Sequence, residues 1–358
     1  MILTKIDKYI IKKFLGTFFF IFILIMSISM VFDLSEKVTV FFERGASWFE
    51  ILTIYYSNFV IYFGFQFIFM INFISVIWFT SKMAQNSEII PILGTGASFN
   101  RLLRPYFISS TILVIITLIM YNFVLPPSNK QRLEFEEQFY RVSFSPSAGK
   151  VQLENGQNIL YKRYIGKENK INELVIEQWD DEKLVYILNA KHAIGDSTTN
   201  QWYLEKYNIR HFREKDDIYM LGEETDTILG FKLTDIIFRE NIVETMNFSQ
   251  LNAFIESEKL RNSKQVPKYL LDKYNRIAAP FAIYILTLIG MVVSSKKTRG
   301  GTGANVAIGI ILCVTYIFAM KMTTVAALNV NFDPLIASWL PNIIFLFIAI
   351  FLYKQASK

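Results

Sequence analysis

The sequence predicts a polytopic α-helical membrane protein, with six transmembrane helices split three and three around an inserted all-β domain. Three observations carry this. Six apolar runs are each close to, or longer than, the roughly 20 residues that cross a bilayer core of about 30 Å at 1.5 Å per residue. The block from residue 126 to about 266, between the third and fourth runs, is water-compatible and alternates with period two in several places. The basic excess between runs alternates loop by loop.

The N-terminal tail carries Lys5, Lys8, Lys12 and Lys13 against Asp7. The apolar run behind it, Phe14–Phe32, is too long for a signal core. It ends in Val31-Phe32-Asp33-Leu34-Ser35-Glu36 with no small-residue cleavage site, so it reads as a retained first span. The first connection is acidic: Asp33, Glu36, Glu43 and Glu50 against Lys37 and Arg44. The second span is Ile51–Phe79. The loop after it holds Lys82, Arg101 and Arg104 against Glu88, and the third span is Tyr106–Leu125.

Gln131–Arg141 has helical character and extends the third span into water. Val151–Leu153 and Asn158–Tyr161, joined through Asn155-Gly156, read as a hairpin with a primed turn. Leu174–Trp179 and Leu184–Leu188 read as a second, and Trp202–Leu204 and Ile209–Phe212 as two short strands. Such spacing suggests a β-sandwich or an open β-roll. Asn247–Leu260 reads as a helix capped by Asn247. Asn262–Pro267 links back to the membrane. The last spans are Ile277–Val293, Val306–Leu328 and Leu335–Tyr353. Lys296, Lys297 and Arg299 follow the fourth, only Asp333 follows the fifth, and Lys354 and Lys358 close the chain. The positive-inside rule then puts both termini in the cytoplasm and the inserted domain across the membrane.

Composition agrees. Of 358 residues 52% are hydrophobic and 33 are Phe, too apolar for one soluble domain. The net charge of +6 has its home beside the bilayer and does not call for nucleic acid. The one cysteine, Cys313, lies inside the fifth run and reads as a small buried apolar residue. His192 and His211 lack the spacing of metal ligands, so no metal or other cofactor is expected. Gly94-Thr95-Gly96 and Gly300–Gly303 are not phosphate loops: no Lys-Ser or Lys-Thr follows and no strand precedes them. Hydrolase signatures are missing too. The expectation is a protein that is not an enzyme.

A few residues stand out within this plan. In the loop Ser81–Arg104, Ser87 can cap a short helix, with Glu88 at its positive dipole end. Ile89, Ile90, Ile92 and Leu93 give that helix an apolar face, and Gly94 or Gly96 stops it. It either docks into a partner's groove or lies on lipid. Lys321 sits inside the fifth span, where an ionisable residue either serves function or snorkels to the interface. Lys37 and Arg44 either meet an anionic headgroup or pair with Glu36, Glu43 or lipid. Asn58, Gln66, Asn72 and Asn122 more often stitch helices together than bind substrate.

These residues resemble the LptF/LptG family, membrane permeases of the lipopolysaccharide-export ABC transporter. The likeness runs from Ile6–Phe14 through Ser87–Ile90 with Gly94–Ser98, Ala278–Pro280 with Leu286–Gly290, and Gly300–Gly303, to Trp339–Asn342. The Asp7-Lys8-Tyr9 start leans toward the G-type subunit. The resemblance implies membrane segments at 1–125 and 267–358 around a periplasmic β-jellyroll-like domain at 126–266. It implies a second permease subunit, a cytoplasmic ATPase dimer and a periplasmic jellyroll bridge as partners, lipopolysaccharide as cargo, and the inner membrane as location. A coupling helix at about 82–98 makes Ser87, Glu88, Ile89, Ile92, Gly94 and Gly96 the expected ATPase contacts. Gates on the first and fifth spans make Lys37 and Lys321 expected headgroup contacts, beside Arg44, which its place just outside the first span suggests. Two features depart from the family's pattern. Pro91 falls in the coupling helix, where it removes a backbone donor and favours a short or displaced helix. Asp33 and Glu36 sit among the basic positions near the outer end of the first span. The same sequence would also suit another lipid or lipoprotein exporter, or a membrane-anchored periplasmic scaffold or sensor.

Overall fold

The computed structural model describes residues 4–94, 99–140, 147–152, 157–165, 169–180, 183–196, 200–213, 216–231, 242–260, 263, 265–295, 301–330 and 332–356. The expected class is what it shows: six helices long and apolar enough to span a membrane, with an antiparallel sheet inserted after the third.

Helix α1, Lys5–Glu43, has 39 residues. At 1.5 Å per residue it is about 58 Å long, well beyond a core of about 30 Å. A capping box starts it: the Thr4 hydroxyl accepts from the Asp7 amide, and the Asp7 carboxylate accepts from the Thr4 amide. Gly45, at φ 84°, ends it, with the Gly45 and Ala46 amides donating to the Phe42 and Phe41 carbonyls.

The second apolar run is not one helix. α2 (Trp48–Glu50) leads into a π-helical stretch, Ile51–Tyr56, then α3 (Ser57–Gln66), a break at Phe67, and α4 (Ile68–Gln85). The Tyr121 hydroxyl donates to the Phe65 carbonyl beside that break, at 3.2 Å. α5 (Ile89–Gly94) has six residues. α6 (Phe99–Ile119), a π-helical stretch (Met120–Val124) and α7 (Leu125–Phe139) form the third span and its extension. After the sheet come a 3-10 turn (Ile242–Thr245), α8 (Phe248–Leu260), α9 (Val266–Ser294), α10 (Gly301–Asn329) and α11 (Pro334–Ala356). Asn247 caps α8 as expected, exchanging hydrogen bonds with Gln250.

α4 and α9 are the buried centre of the bundle, with 72% and 67% of their apolar windows covered; α1 and α10 stand outside, each only 22% covered. Phe79 stacks between Phe14 and Tyr106 at 5.2 and 5.3 Å. Gly309 lets α10 approach α4 so closely that an added Cβ would lie 2.0 Å from Ile77 Cδ1. Polar pairs stitch the spans: Asn72 to Thr287, Asn305 to Ser81, and Tyr316 to Asn342, which donates in turn to the Ala278 carbonyl. Asn58 does the same toward Gln131 and Ser128. Among the described residues Asn122 bonds its own helix at Leu118, and Gln66 is exposed. Cys313 is buried.

The inserted sheet has six strands in sequence order: β1 (Ser147–Gln152), β2 (Gln157–Ile165), β3 (Lys170–Asp180), β4 (Lys183–Gly195), β5 (Gln201–His211) and β6 (Ile218–Ile228). The expected Asn155-Gly156 turn lies outside the described residues. The two short strands expected at 202–212 are one strand, because Lys206 takes φ 49° and breaks the alternation that sequence reading relies on. Glu173 does likewise in β3 at φ 53°. Across four strands the inward residues are three apart where the period should be two: Tyr161 and Tyr164, Leu174 and Ile171, Ala190 and Ala193, Leu204 and Tyr207. Lys162, Glu173, Lys191 and Lys206 lie outward in this crease, so one sheet bends around one apolar core. Trp202, 1% exposed, fills that core and donates to the Phe231 carbonyl.

Candidate functional site

The start of α1 and the end of α11 lie at one end of the bundle. Arg101, at the start of α6, pairs with Asp7 near the start of α1, and Tyr353, near the end of α11, hydrogen-bonds Asn100. The segment around α5 is at this end. Ser87 closes the helix before α5 instead of opening α5: it sits at φ 57°, and the Ser87 and Glu88 amides donate back to Ala84 and Met83. α5 then starts at Ile89, which puts Pro91 third in the helix. There its missing N–H is one that the helix would leave unbonded anyway.

Spacing of three turns Ile89 and Ile92 to the same side, into the bundle core. Ile90 points the other way and is 63% exposed, so the apolar face is divided between core and solvent. Gly94 is exposed, while Gly96 and the side chain of Leu93 lie outside the described residues. Glu88 accepts from Lys13 Nζ at 3.0 Å, the Tyr9 hydroxyl at 2.9 Å and Asn86 Nδ2 at 3.1 Å. Burial pushes its carboxyl up, but these hydrogen bonds outweigh burial and hold it below the usual value. Neither the Glu88–Lys13 pair nor the Asp7–Arg101 pair was legible in advance. Their partners are 75 and 94 residues apart, and no local pattern links them.

The opposite end holds a polar cluster between α1, the second apolar run, α7 and the 3-10 turn. Lys37 bridges Asp33 at 2.7 Å and Glu136 at 3.2 Å and donates to the Tyr55 hydroxyl at 2.6 Å. Its partners are not Glu36 or Glu43. Glu136 also pairs with Arg132 at 2.8 Å. Glu244 accepts from Tyr62 at 2.6 Å and Asn129 at 3.3 Å, and Arg276 caps the same turn through the Val243 and Met246 carbonyls. Arg44 and Lys321 differ: the side chain of neither has an ion pair or hydrogen bond with the described residues, and Lys321 lies exposed on α10.

Between these ends a cavity of about 220 Å³ opens beside the Phe67 break, lined by Ile25, Met26, Phe59, Phe63, Phe67 and Met70. Elsewhere α1 leaves apolar side chains uncovered, among them Phe20, Ile23 and Ile28. α10 is bare in the same manner at Ile311, Val314, Phe318 and Met322. Such surface needs lipid, acyl chains or another protein against it.

Comparison with known proteins gives one family. Residues 8–355 match the lipopolysaccharide export system permease LptF/LptG. No curated protein matches the chain.

Proposed function

Because the chain belongs to the LptF/LptG permease family, we propose that it is the membrane subunit of an ABC transporter that extracts lipopolysaccharide from the inner membrane and passes it to a periplasmic protein bridge. The observation that carries this reading is the span of the match, which takes in all six candidate membrane helices and the inserted domain.

The bare faces of α1 and α10 turn toward a second permease subunit, and the two subunits enclose the cargo. Arg44 and Lys321 supply positive charge for an anionic headgroup. Lys37 is a poorer ligand, since Asp33 and Glu136 already neutralise it. The termini and the segment 82–98 are cytoplasmic, and residues 126–266 are periplasmic. The ATPase is a separate dimeric subunit that docks on Glu88, Ile90 and the exposed backbone at Gly94, with Ile89 and Ile92 fixing α5 behind them. Extraction needs external work. Each buried CH₂ contributes about 0.8 kcal/mol, so several acyl chains sum to tens of kcal/mol. The free edge at β6, with Tyr219, Met220 and Leu221 exposed, suits strand addition by the bridge protein.

The test is purification of the intact complex, with identification of its bound lipid and its ATPase. Lipopolysaccharide and an ATPase lost on Glu88→Ala are expected. A complex carrying another lipid, or an ATPase retained at full activity with unchanged transport after Glu88→Ala, would count against the reading.

A further inference from the structure

A residue assigned to a partner should have its charge available, yet the Glu88 carboxylate is already held from within the chain. Lys13 Nζ lies 3.1 and 3.0 Å from its two oxygens, and the Tyr9 hydroxyl donates to one of them while accepting from Lys13 at 2.8 Å. Beyond α5, Arg101 grips Asp7 with two parallel hydrogen bonds of 2.6 and 2.7 Å. The coupling segment is therefore tied on both flanks, and both ties end on α1. Asp7 and Lys13 are six residues apart, about 9 Å along the helix axis. One tie would leave α1 free to pivot, whereas two spaced ties fix its direction relative to α5. Otherwise α1 is held on one face only, where Ile10, Phe14, Phe18 and Ile21 enter the bundle core, and 22% of its apolar window is buried.

We propose that Lys13, Tyr9, Asp7 and Arg101 are positioning residues that make α1 and the coupling segment a single lever, so that a push on α5 moves the gate helix through these polar ties and not through apolar packing alone. This rests on the permease reading above. In it, Glu88 faces two ways: one side of the carboxylate holds α1, and its exposed side is read by the ATPase.

The experiment uses the purified complex in proteoliposomes with lipopolysaccharide as cargo, measuring ATP hydrolysed and lipid released. Lys13→Gln combined with Arg101→Gln is expected to keep the ATPase bound and hydrolysis within twofold, while lipid released per ATP falls at least tenfold. Lys13→Arg with Arg101 intact is expected to restore the ratio. An unchanged ratio in the double variant overturns the lever, as does loss of the ATPase from it, which would mean that the ties only fold the segment. A second measurement leaves the ties untouched. Spin labels at Lys12→Cys and Pro91→Cys, both exposed, are expected to keep one separation with and without ATP. A separation that changes with nucleotide overturns the proposal. If the unaltered complex releases no lipopolysaccharide with ATP, the permease reading itself fails, which is a different result.

Discussion

Ser87 holds a left-handed backbone, φ 57°, that glycine adopts at no steric cost. Ser87→Gly is therefore expected to stabilise the turn by about 1 kcal/mol, seen as a higher Tm of the purified chain. Two residues on, the division of labour in α5 gives a different expectation. Ile90 is exposed while Ile89 is buried, so Ile90→Lys should leave Tm within a degree or two and strip the ATPase on affinity purification. Ile89→Lys should lower Tm sharply, because it buries an unpaired charge. Glu88 adds a pH dependence. Its carboxyl titrates below the usual range when folded, so its tie to Lys13 is fully present above that range and is lost as pH falls through the depressed value. Hydrogen-exchange protection across residues 82–94, taken relative to the intrinsic rate at each pH, should fall in acid, and Glu88→Gln should flatten that response.

At the scale of elements, the break at Phe67 divides what reads as one long apolar run. The Tyr121 hydroxyl satisfies a carbonyl that the broken helix leaves near it. Tyr121→Phe should cost about 1 kcal/mol of stability, measured in detergent, with little change in packing. The spans, the insertion point, the third-span extension and the Asn247 cap could all be read from apolar run length and capping chemistry, because both are local. The Phe67 break could not, since Phe65-Gln66-Phe67-Ile68 carries no Gly or Pro to signal it. β6 was hidden for a similar reason: Glu223, Glu224 and Asp226 dilute its alternation, and its place is fixed by pairing with β5. In the site, the sequence offered Glu88 and one apolar face of Ile89, Ile90, Ile92 and Leu93, whereas the structure turns Ile89 and Ile92 into the bundle and Ile90 outward. The partners of Lys37, Glu88 and Asp7 were not, because they come from distant helices that only the bundle brings together.

For the whole molecule, the firmest expectation is sidedness. Leu221 on β6 is 84% exposed, so Leu221→Cys should react with a membrane-impermeant thiol reagent added to intact spheroplasts. Lys354→Cys should react only after lysis. The opposite pattern would reverse the whole arrangement. The crease in the sheet sets a different limit on the molecule. Each of four strands spends one residue to switch which side of the backbone looks inward, and all four switch in the same row. A one-residue deletion on either flank of that row would turn half a strand inside out, presenting Tyr or Leu to water and Lys or Glu to the interior. Descendants of this chain are thus free to vary the side chains of the domain far more than its strand lengths, and gains or losses of residues should collect in the hairpin turns.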